Sequence, residues 1–117
     1  MRPTLLVAEP EPDNALSTRK LVLETSKFNV LTAHTDEEAM EIARNFPNMS
    51  GAIVAAQNNS KCEALAKRLR DLYPKMKIIG LTPGAGCSGA DHILNSHDPE
   101  GLVKLMRKLF GDPRKLP

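Results

Sequence analysis

The chain has 117 residues, of which 41% are hydrophobic and 3% aromatic, and its formal net charge is +2. This length suits one domain with an aliphatic core and excludes two separate domains. No apolar run approaches the ~20 residues that a membrane span needs, and the amino terminus lacks the long apolar stretch of a signal peptide, so we expect a cytoplasmic protein.

The first strand and helix are predicted within residues 4–26. Residues 4–8 form a short apolar run that ends at acids and prolines, which is typical of a buried parallel strand. Pro12 then opens a helix that ends near Thr25 or Ser26. The residues of this helix predicted to face the core are Leu16, Leu21, Val22 and Leu23.

The second strand and helix follow directly. Residues 28–33 alternate in the manner of a strand. Thr35 and Glu38 form a capping box that predicts the start of a helix, and Pro47 marks its end. The residues predicted to face inward are Ala39, Met40, Ile42, Ala43 and Phe46.

The third and fourth strands enclose a third helix. Residues 51–56 are predicted as a buried strand, and Ser60 with Glu63 is predicted as a second capping box. Pro74 ends this helix, and residues 75–82 form the fourth strand. The helix is predicted to bury Leu65, Ala66, Leu69 and Leu72.

A fifth strand and a last helix complete the pattern. Residues 92–94 form the strand, and residues 98–100 place a capping aspartate before proline and glutamate. Gly111 ends the helix, so we predict a domain over 1–112 and a tail or linker over 113–117. The basic residues of this region alternate with apolar ones, so a solvated helix face is favoured over nucleic-acid binding. These residues are Lys104, Arg107, Lys108, Arg114 and Lys115.

Alternating strands and helices predict a three-layer α/β/α sandwich around a five-stranded parallel sheet, because right-handed crossovers place helices on both faces. Functional groups in such folds lie at the carboxyl ends of the strands. In this chain those ends carry Glu9, Ala56, Thr82 and the residues after Leu94.

Several segments, in their order and spacing, resemble the receiver domains of bacterial response regulators (CheY-like). These segments are residues 5–14, 33–39, 79–82, 89–91 and 98–102. The resemblance implies a doubly wound, flavodoxin-like sheet with strand order 2-1-3-4-5. It also implies a role in a two-component system or phosphorelay.

The phosphorylation pocket of that family departs from its pattern here. In an active receiver, acids and a phosphoacceptor aspartate hold magnesium, while a lysine and a hydroxyl hold the phosphoryl group. The corresponding positions are Glu9 and Pro10 with Glu11 beside them, Ala56 as acceptor, Thr82 as hydroxyl, Ser96 as lysine and Ile93 as switch aromatic. We therefore predict a degenerate pseudo-receiver that is not an enzyme and has no catalytic residue, metal or cofactor.

The connection after the fourth strand also departs from the family. The stretch between Thr82 and Ser96 is too short for a fourth helix with its loops, which need roughly twenty residues, and it contains three glycines and a proline in residues 83–89. We predict that helix four is missing or a single turn. Because receivers often dock or dimerise through this face, it is the candidate interaction surface, with Pro83, Gly84, Gly86, Cys87, Ser88 and His97. The expected partner is a histidine kinase-like or other signalling or effector protein, or a second copy of the chain.

Other motifs give weaker alternatives. Residues 84–89 spell GxGxxG, but a strand follows where a dinucleotide site needs a helix. Glu9, Glu11 and Asp13 could bind a cation, although acids at a helix start also favour its dipole. Ser60 could accept a phosphoryl group, although a cap explains it more simply. A small-molecule or nucleotide-binding module, or a receiver with an atypical acceptor, therefore remain alternative functions.

The two cysteines carry no motif. Cys62 and Cys87 form no CxxC pair, and the histidines are not at metal-ligand spacing from them. We expect two reduced intracellular thiols.

Overall fold

A computed structural model describes residues 3–10, 18–83, 86–95 and 98–115. In these ranges strands and helices alternate along the chain as far as β4, which is followed by β5 without a described helix between them. The strands are β1 (Thr4–Ala8), β2 (Asn29–Ala33), β3 (Gly51–Ala55), β4 (Lys77–Thr82) and β5 (His92–Asn95). The helices are α1 (Thr18–Thr25), α2 (Asp36–Asn45), α3 (Asn59–Leu72), α4 (Pro99–Phe110) and a 3-10 turn (Pro113–Lys115). Within the described ranges, none of the helices has the length and apolar character needed to cross a bilayer.

The strands form one parallel sheet in the order β2-β1-β3-β4-β5, which confirms the predicted topology. Ala8 in β1 pairs with Val54 in β3, and Ala55 in β3 pairs with Leu81 in β4. The carboxyl ends of these three strands therefore share one rim of the sheet.

The core has two layers because successive strand side chains point to opposite faces of the sheet. Leu6 and Ala8 of β1 pack with buried residues of α2 and α3. Leu5 and Val7 pack with Leu23 of α1 and with α4. The two clusters confirm a three-layer sandwich with an aliphatic core.

Two of the predicted helix starts are confirmed by their caps. The Glu38 amide donates to Thr35 Oγ1 over 3.1 Å at the start of α2. The Gly101 amide donates to Asp98 Oδ1 over 2.9 Å at the start of α4. Such side-chain oxygens satisfy amides that lack a partner in the first helical turn.

The predicted capping box of α3 is wrong. The Lys61 amide donates over 2.9 Å to Asn58 Oδ1, so Asn58 is the cap and Ser60 lies inside the first turn. The Glu63 carboxylate instead accepts the Ser88 amide over 3.1 Å. The Glu63 carboxylate therefore bonds Ser88, which lies outside the helix, and does not cap α3 as the motif predicted.

Three predicted core residues are exposed instead. Leu21 is 64% exposed, because two residues along a helix turn the side chain by roughly 200° and Leu23 takes the inward position. Phe46, 48% exposed, lies beyond the last residue of α2. Leu72 is the last residue of α3 and is partly exposed. Leu16 lies outside the described residues.

The prediction for helix four is confirmed for the described part of the β4–β5 connection. Pro83 and residues 86–91 contain no helical residue. The structure's α4 therefore occupies the place of the family's fifth helix. The domain boundary after residue 112 stays a prediction, although Pro113 is buried just beyond it.

Candidate functional site at the strand rim

The rim of the sheet brings together the predicted pocket residues that the structure describes. Glu9 directly follows β1, Ala56 directly follows β3, and Thr82 ends β4. The Glu9 amide donates to the Ala33 carbonyl over 2.9 Å, and the Ala56 amide donates to the Leu81 carbonyl over 3.1 Å, so the ladder continues past the strands. The other predicted pocket residues, Glu11 and Ser96, lie outside the described residues.

Glu9 is a buried carboxylate with a cationic partner on α1. Its side chain is 2% exposed, and Arg19 Nη1 donates to Glu9 Oε2 over 2.8 Å. Its second oxygen, Oε1, is buried without a hydrogen-bond partner among the described residues. A charge-assisted hydrogen bond of this kind is stronger than a neutral one, so the guanidinium holds and neutralises the buried acid that follows β1.

Arg19 is the functional residue that sequence reasoning missed. It lies ten positions from Glu9 along the chain, on a helix rather than on the rim itself. Neither strand nor helix periodicity relates Arg19 to Glu9 across that distance, so no local sequence pattern predicts the pair.

Ala56 and Thr82 supply little chemistry beside this ion pair. The Ala56 methyl packs against the core cluster of α2 and α3 and carries no lone pair. The Thr82 side chain is buried at the end of β4. In the described ranges, no three His, Cys, Asp or Glu side chains group closely enough to hold a metal ion.

A cavity of about 250 Å³ opens beside the rim, between the ends of β1, β2 and β3. Its polar lining includes His34, Thr35, Asp36 and Lys61, above an apolar floor. Nδ1 of His34 lies 3.3 Å from the Glu9 carbonyl oxygen, which fixes the ring at one wall. Glu9 and Ala56 line this cavity, and Thr82 does not.

Solved structures match this arrangement over most of the chain. A response regulator from Thermotoga maritima is 21% identical with a TM-score of 0.77, covering 93% of this chain and 98% of its own. The chemotaxis protein CheY4 of Vibrio cholerae is 19% identical with a TM-score of 0.78, covering 94% and 100%. A CheY-like receiver domain from Methanospirillum hungatei is 22% identical with a TM-score of 0.76, covering 99% and 100%. The chain has the receiver-domain fold.

Sequence comparison adds nothing to this structural likeness. No protein-family model matches the chain, and no curated protein matches it. The receiver fold is therefore shown by structural similarity alone, in keeping with sequence identities near 20% to the matching structures.

The connection that replaces helix four of the receiver fold is held by a disulfide. Cys62 in α3 and Cys87 are bonded, with their Cα atoms 5.7 Å apart. The prediction of two reduced thiols is therefore wrong in this structure. Cys87 is 3% exposed, so its assignment to the interaction surface is wrong as well. The cysteines are 25 positions apart, and only the crossover from β3 to β4 brings them together.

A second anchor holds the far end of the same connection. Arg70 Nη2 donates to Asp91 Oδ2 over 2.7 Å and to the Gly89 carbonyl over 3.2 Å. The Ile78 amide also donates to Asp91 Oδ2 over 2.8 Å. Partial burial acts to raise the pKa of Asp91, but the hydrogen bonds from Arg70 and Ile78 and the nearby positive charges together lower it below its usual value. Asp91 is therefore ionised at neutral pH and ties β5 to α3.

The rest of the predicted interaction surface is only partly described. Pro83 and Ser88 are exposed and Gly86 is half-buried, whereas Gly84 and His97 lie outside the described residues. Ile93, which was predicted to take the switch position, is 45% exposed on the edge strand β5. An exposed apolar side chain on a short edge strand is a contact that a partner chain could cover.

Proposed function

We propose that this chain is a pseudo-receiver of the two-component type that acts by docking a protein and is not phosphorylated. The observation that carries the proposal is the Ala56 methyl at the rim beside a Glu9 carboxylate already engaged by Arg19. The receiver fold supports the signalling context.

The chemistry of phosphoryl transfer explains why this pair matters. A receiver needs a carboxylate oxygen to attack phosphorus and a divalent cation to neutralise the phosphoryl oxygens. The side chain of residue 56 supplies no oxygen for either purpose. The Arg19 guanidinium places beside Glu9 the positive charge that a divalent metal ion would otherwise provide.

The proposed docking surface is the exposed part of the β4–β5 connection together with β5. Ser88 is exposed, Ile93 is partly exposed, and β5 pairs on one side with β4. The proposed partner is a signalling or effector protein, such as one related to histidine kinases, or a second copy of this chain. Enzymatic activity is not part of this proposal.

Phosphorylation chemistry tests the proposal directly. After incubation with acetyl phosphate and Mg²⁺, intact mass spectrometry is expected to show the unmodified chain, because residue 56 has no nucleophile. An active receiver domain treated in parallel serves as the positive control.

The variant Ala56→Asp is the matched control for the same experiment. An adduct that forms only in this variant would locate the defect at residue 56. A stoichiometric acyl phosphate on the unaltered chain would contradict the proposal.

The cavity beside the rim favours a second candidate function, the binding of a small molecule. Its volume of about 250 Å³ lies just below the usual range for ligand sites, and Lys61 and His34 offer polar contacts at its wall. A ligand at a hundred times its dissociation constant would stabilise the fold by about 2.7 kcal/mol, which a thermal-shift screen of nucleotides and small anions detects. The shift is expected to shrink in Lys61→Gln, and a screen without any shift would contradict this candidate.

A further inference from the structure

We propose that Cys62 and Cys87 form a thiol–disulfide exchange site whose substrate is a dithiol reductant, and that this site latches residues 86–91 onto α3. We call residues 86–91 the strap. The strap lies where a receiver has its fourth helix. We call the end of the strap near residue 86, which follows β4, its upper end, and the end at Asp91 its lower end. The state of the disulfide determines whether the upper end is held against α3 or released.

The strap runs along one face of α3 in matched steps. Cys62 is bonded to Cys87, Ala66 lies against Gly89, and Arg70 is paired with Asp91. The helix positions are four apart and the strap positions two apart. Between these contacts the strap makes a turn, in which the Ala90 amide donates to the Cys87 carbonyl over 3.1 Å, and each successive contact meets α3 about one helical turn further along.

The anchors differ in kind from one end of the strap to the other. At the lower end, Asp91 accepts hydrogen bonds from Arg70 and from the Ile78 amide, and the Asp91 amide donates to the Ile78 carbonyl over 2.7 Å. At the upper end, the described covalent and polar links to α3 are the disulfide and the hydrogen bond between Ser88 and Glu63, and the buried Cys87 side chain also packs in the core cluster that includes α3. Loss of the disulfide therefore frees the upper end and leaves the start of β5 in place.

β4 is shaped to receive this disulfide. A Cβ atom at Gly80 would lie 2.9 Å from Cys87 Cβ, closer than real Cβ atoms approach, and 3.2 Å from Cys62 Sγ, which is tighter than most Cβ contacts. The glycine thus leaves the space that the two sulfurs occupy over the sheet.

The geometry also shows which sulfur moves after reduction, since two thiols cannot remain at bonding distance. Cys62 is fully buried in α3, and its Sγ lies 3.8 Å from the Val54 carbonyl oxygen, an acceptor for the thiol formed on reduction. Cys87 belongs to an irregular segment, in which Gly89 has a φ of +94° that favours glycine. The strap, and not α3, is therefore the part that shifts.

The exchange step balances with a dithiol as electron donor. Because Cys87 is 3% exposed, the step requires a local opening of the strap around it. A thiolate of the dithiol then attacks Cys87 Sγ, the bond between the sulfurs breaks, and Cys62 leaves as a thiolate that takes up a proton. The second thiol of the reductant then displaces Cys87 and closes a disulfide in the reductant. Two electrons and two protons pass to the cysteine pair.

The consequence for signalling rests on the proposed docking function, because the strap adjoins β5 and the exposed Ile93. In reducing compartments, disulfides are usually transient and redox-sensing. The oxidised chain would present a fixed face to its partner, and the reduced chain a loosened one.

Hydrogen exchange of the full chain, without any partner, tests the latch. The chain is oxidised with glutathione disulfide or reduced with dithiothreitol, and alkylation with mass analysis verifies each state. Peptides containing Ser88 and Ala90 are expected to exchange about tenfold faster or more after reduction, since a loop-closing constraint has been removed. Peptides from β1 and β3 are expected to keep their rates.

The double variant Cys62→Ala/Cys87→Ala is the matched control. Its strap is expected to exchange at the reduced rate and to ignore dithiothreitol. Unchanged strap exchange after verified reduction would overturn the latch, as would faster exchange throughout the sheet or two free thiols in the oxidised chain. None of these results depends on whether the chain is phosphorylated or bound, so they remain separate from the test of the proposed function.

Discussion

The free energy of unfolding of the variant Arg19→Met is expected to be about 3 kcal/mol lower than that of the unaltered chain at neutral pH. The substitution leaves the Glu9 carboxylate, 2% exposed, without the guanidinium that donates to it over 2.8 Å. A buried charge that loses its partner keeps its desolvation cost and loses the compensating attraction. Urea denaturation followed by circular dichroism measures the difference.

The reciprocal variant gives the matched control for this ion pair. Glu9→Gln is expected to cost only about 1–2 kcal/mol, because the Arg19 side chain is 28% exposed and can recover water. The double variant should be more stable than the sum of the single losses predicts, with a coupling energy of about 1–3 kcal/mol. An Arg19→Met variant within about 0.5 kcal/mol of the unaltered chain, the range of an ordinary surface substitution, would show that the pair does not stabilise the rim.

Gly80→Ala is expected to destabilise the oxidised protein by about 1–3 kcal/mol, in the range of overpacked cores. The added methyl would lie 2.9 Å from Cys87 Cβ, so either β4 or the strap has to shift. The same variant should lose its disulfide at a lower concentration of dithiothreitol, because the crowded strap is released when the bond opens. Denaturation of the oxidised chain and a reductant titration with alkylation measure the two effects.

Gly86→Ala tests whether crowding, rather than the loss of a glycine, causes this effect. A Cβ at Gly86 would find its nearest neighbour, Asn59 Nδ2, at 4.0 Å. This variant is therefore expected to be neutral or slightly more stable, because alanine reduces the freedom of the unfolded chain. Equal losses of stability in both variants would contradict the view that Gly80 leaves the space that the disulfide needs.

Prediction succeeded where neighbouring residues carry the information. The caps at Thr35 and Asp98 were predicted because a capping side chain acts on amides two or three residues away. The buried strands were predicted from short apolar runs, and the right-handed crossover rule then limited the topology. The lack of a helix in the described part of the β4–β5 connection was predicted from its short length and its glycine and proline content.

Prediction failed where a side chain had several geometrically acceptable partners. Glu63 suited a capping box, yet it accepts the Ser88 amide of the strap. Leu21 suited an apolar helix face, yet α1 turns it toward solvent. For Glu63 a distant segment of the chain supplied the partner, whereas for Leu21 the rotation of α1 that buries Leu23 decided the outcome.

The sequence by itself determined the chemistry that residue 56 lacks, since an alanine side chain carries no oxygen in any fold. It also determined the alternation of strands and helices, because that pattern is local. Only the tertiary structure decided that Arg19 neutralises Glu9 and that Cys62 bonds Cys87. Those contacts join residues 10 and 25 positions apart. They depend on how the helices pack against the parallel sheet, which no short stretch of sequence encodes.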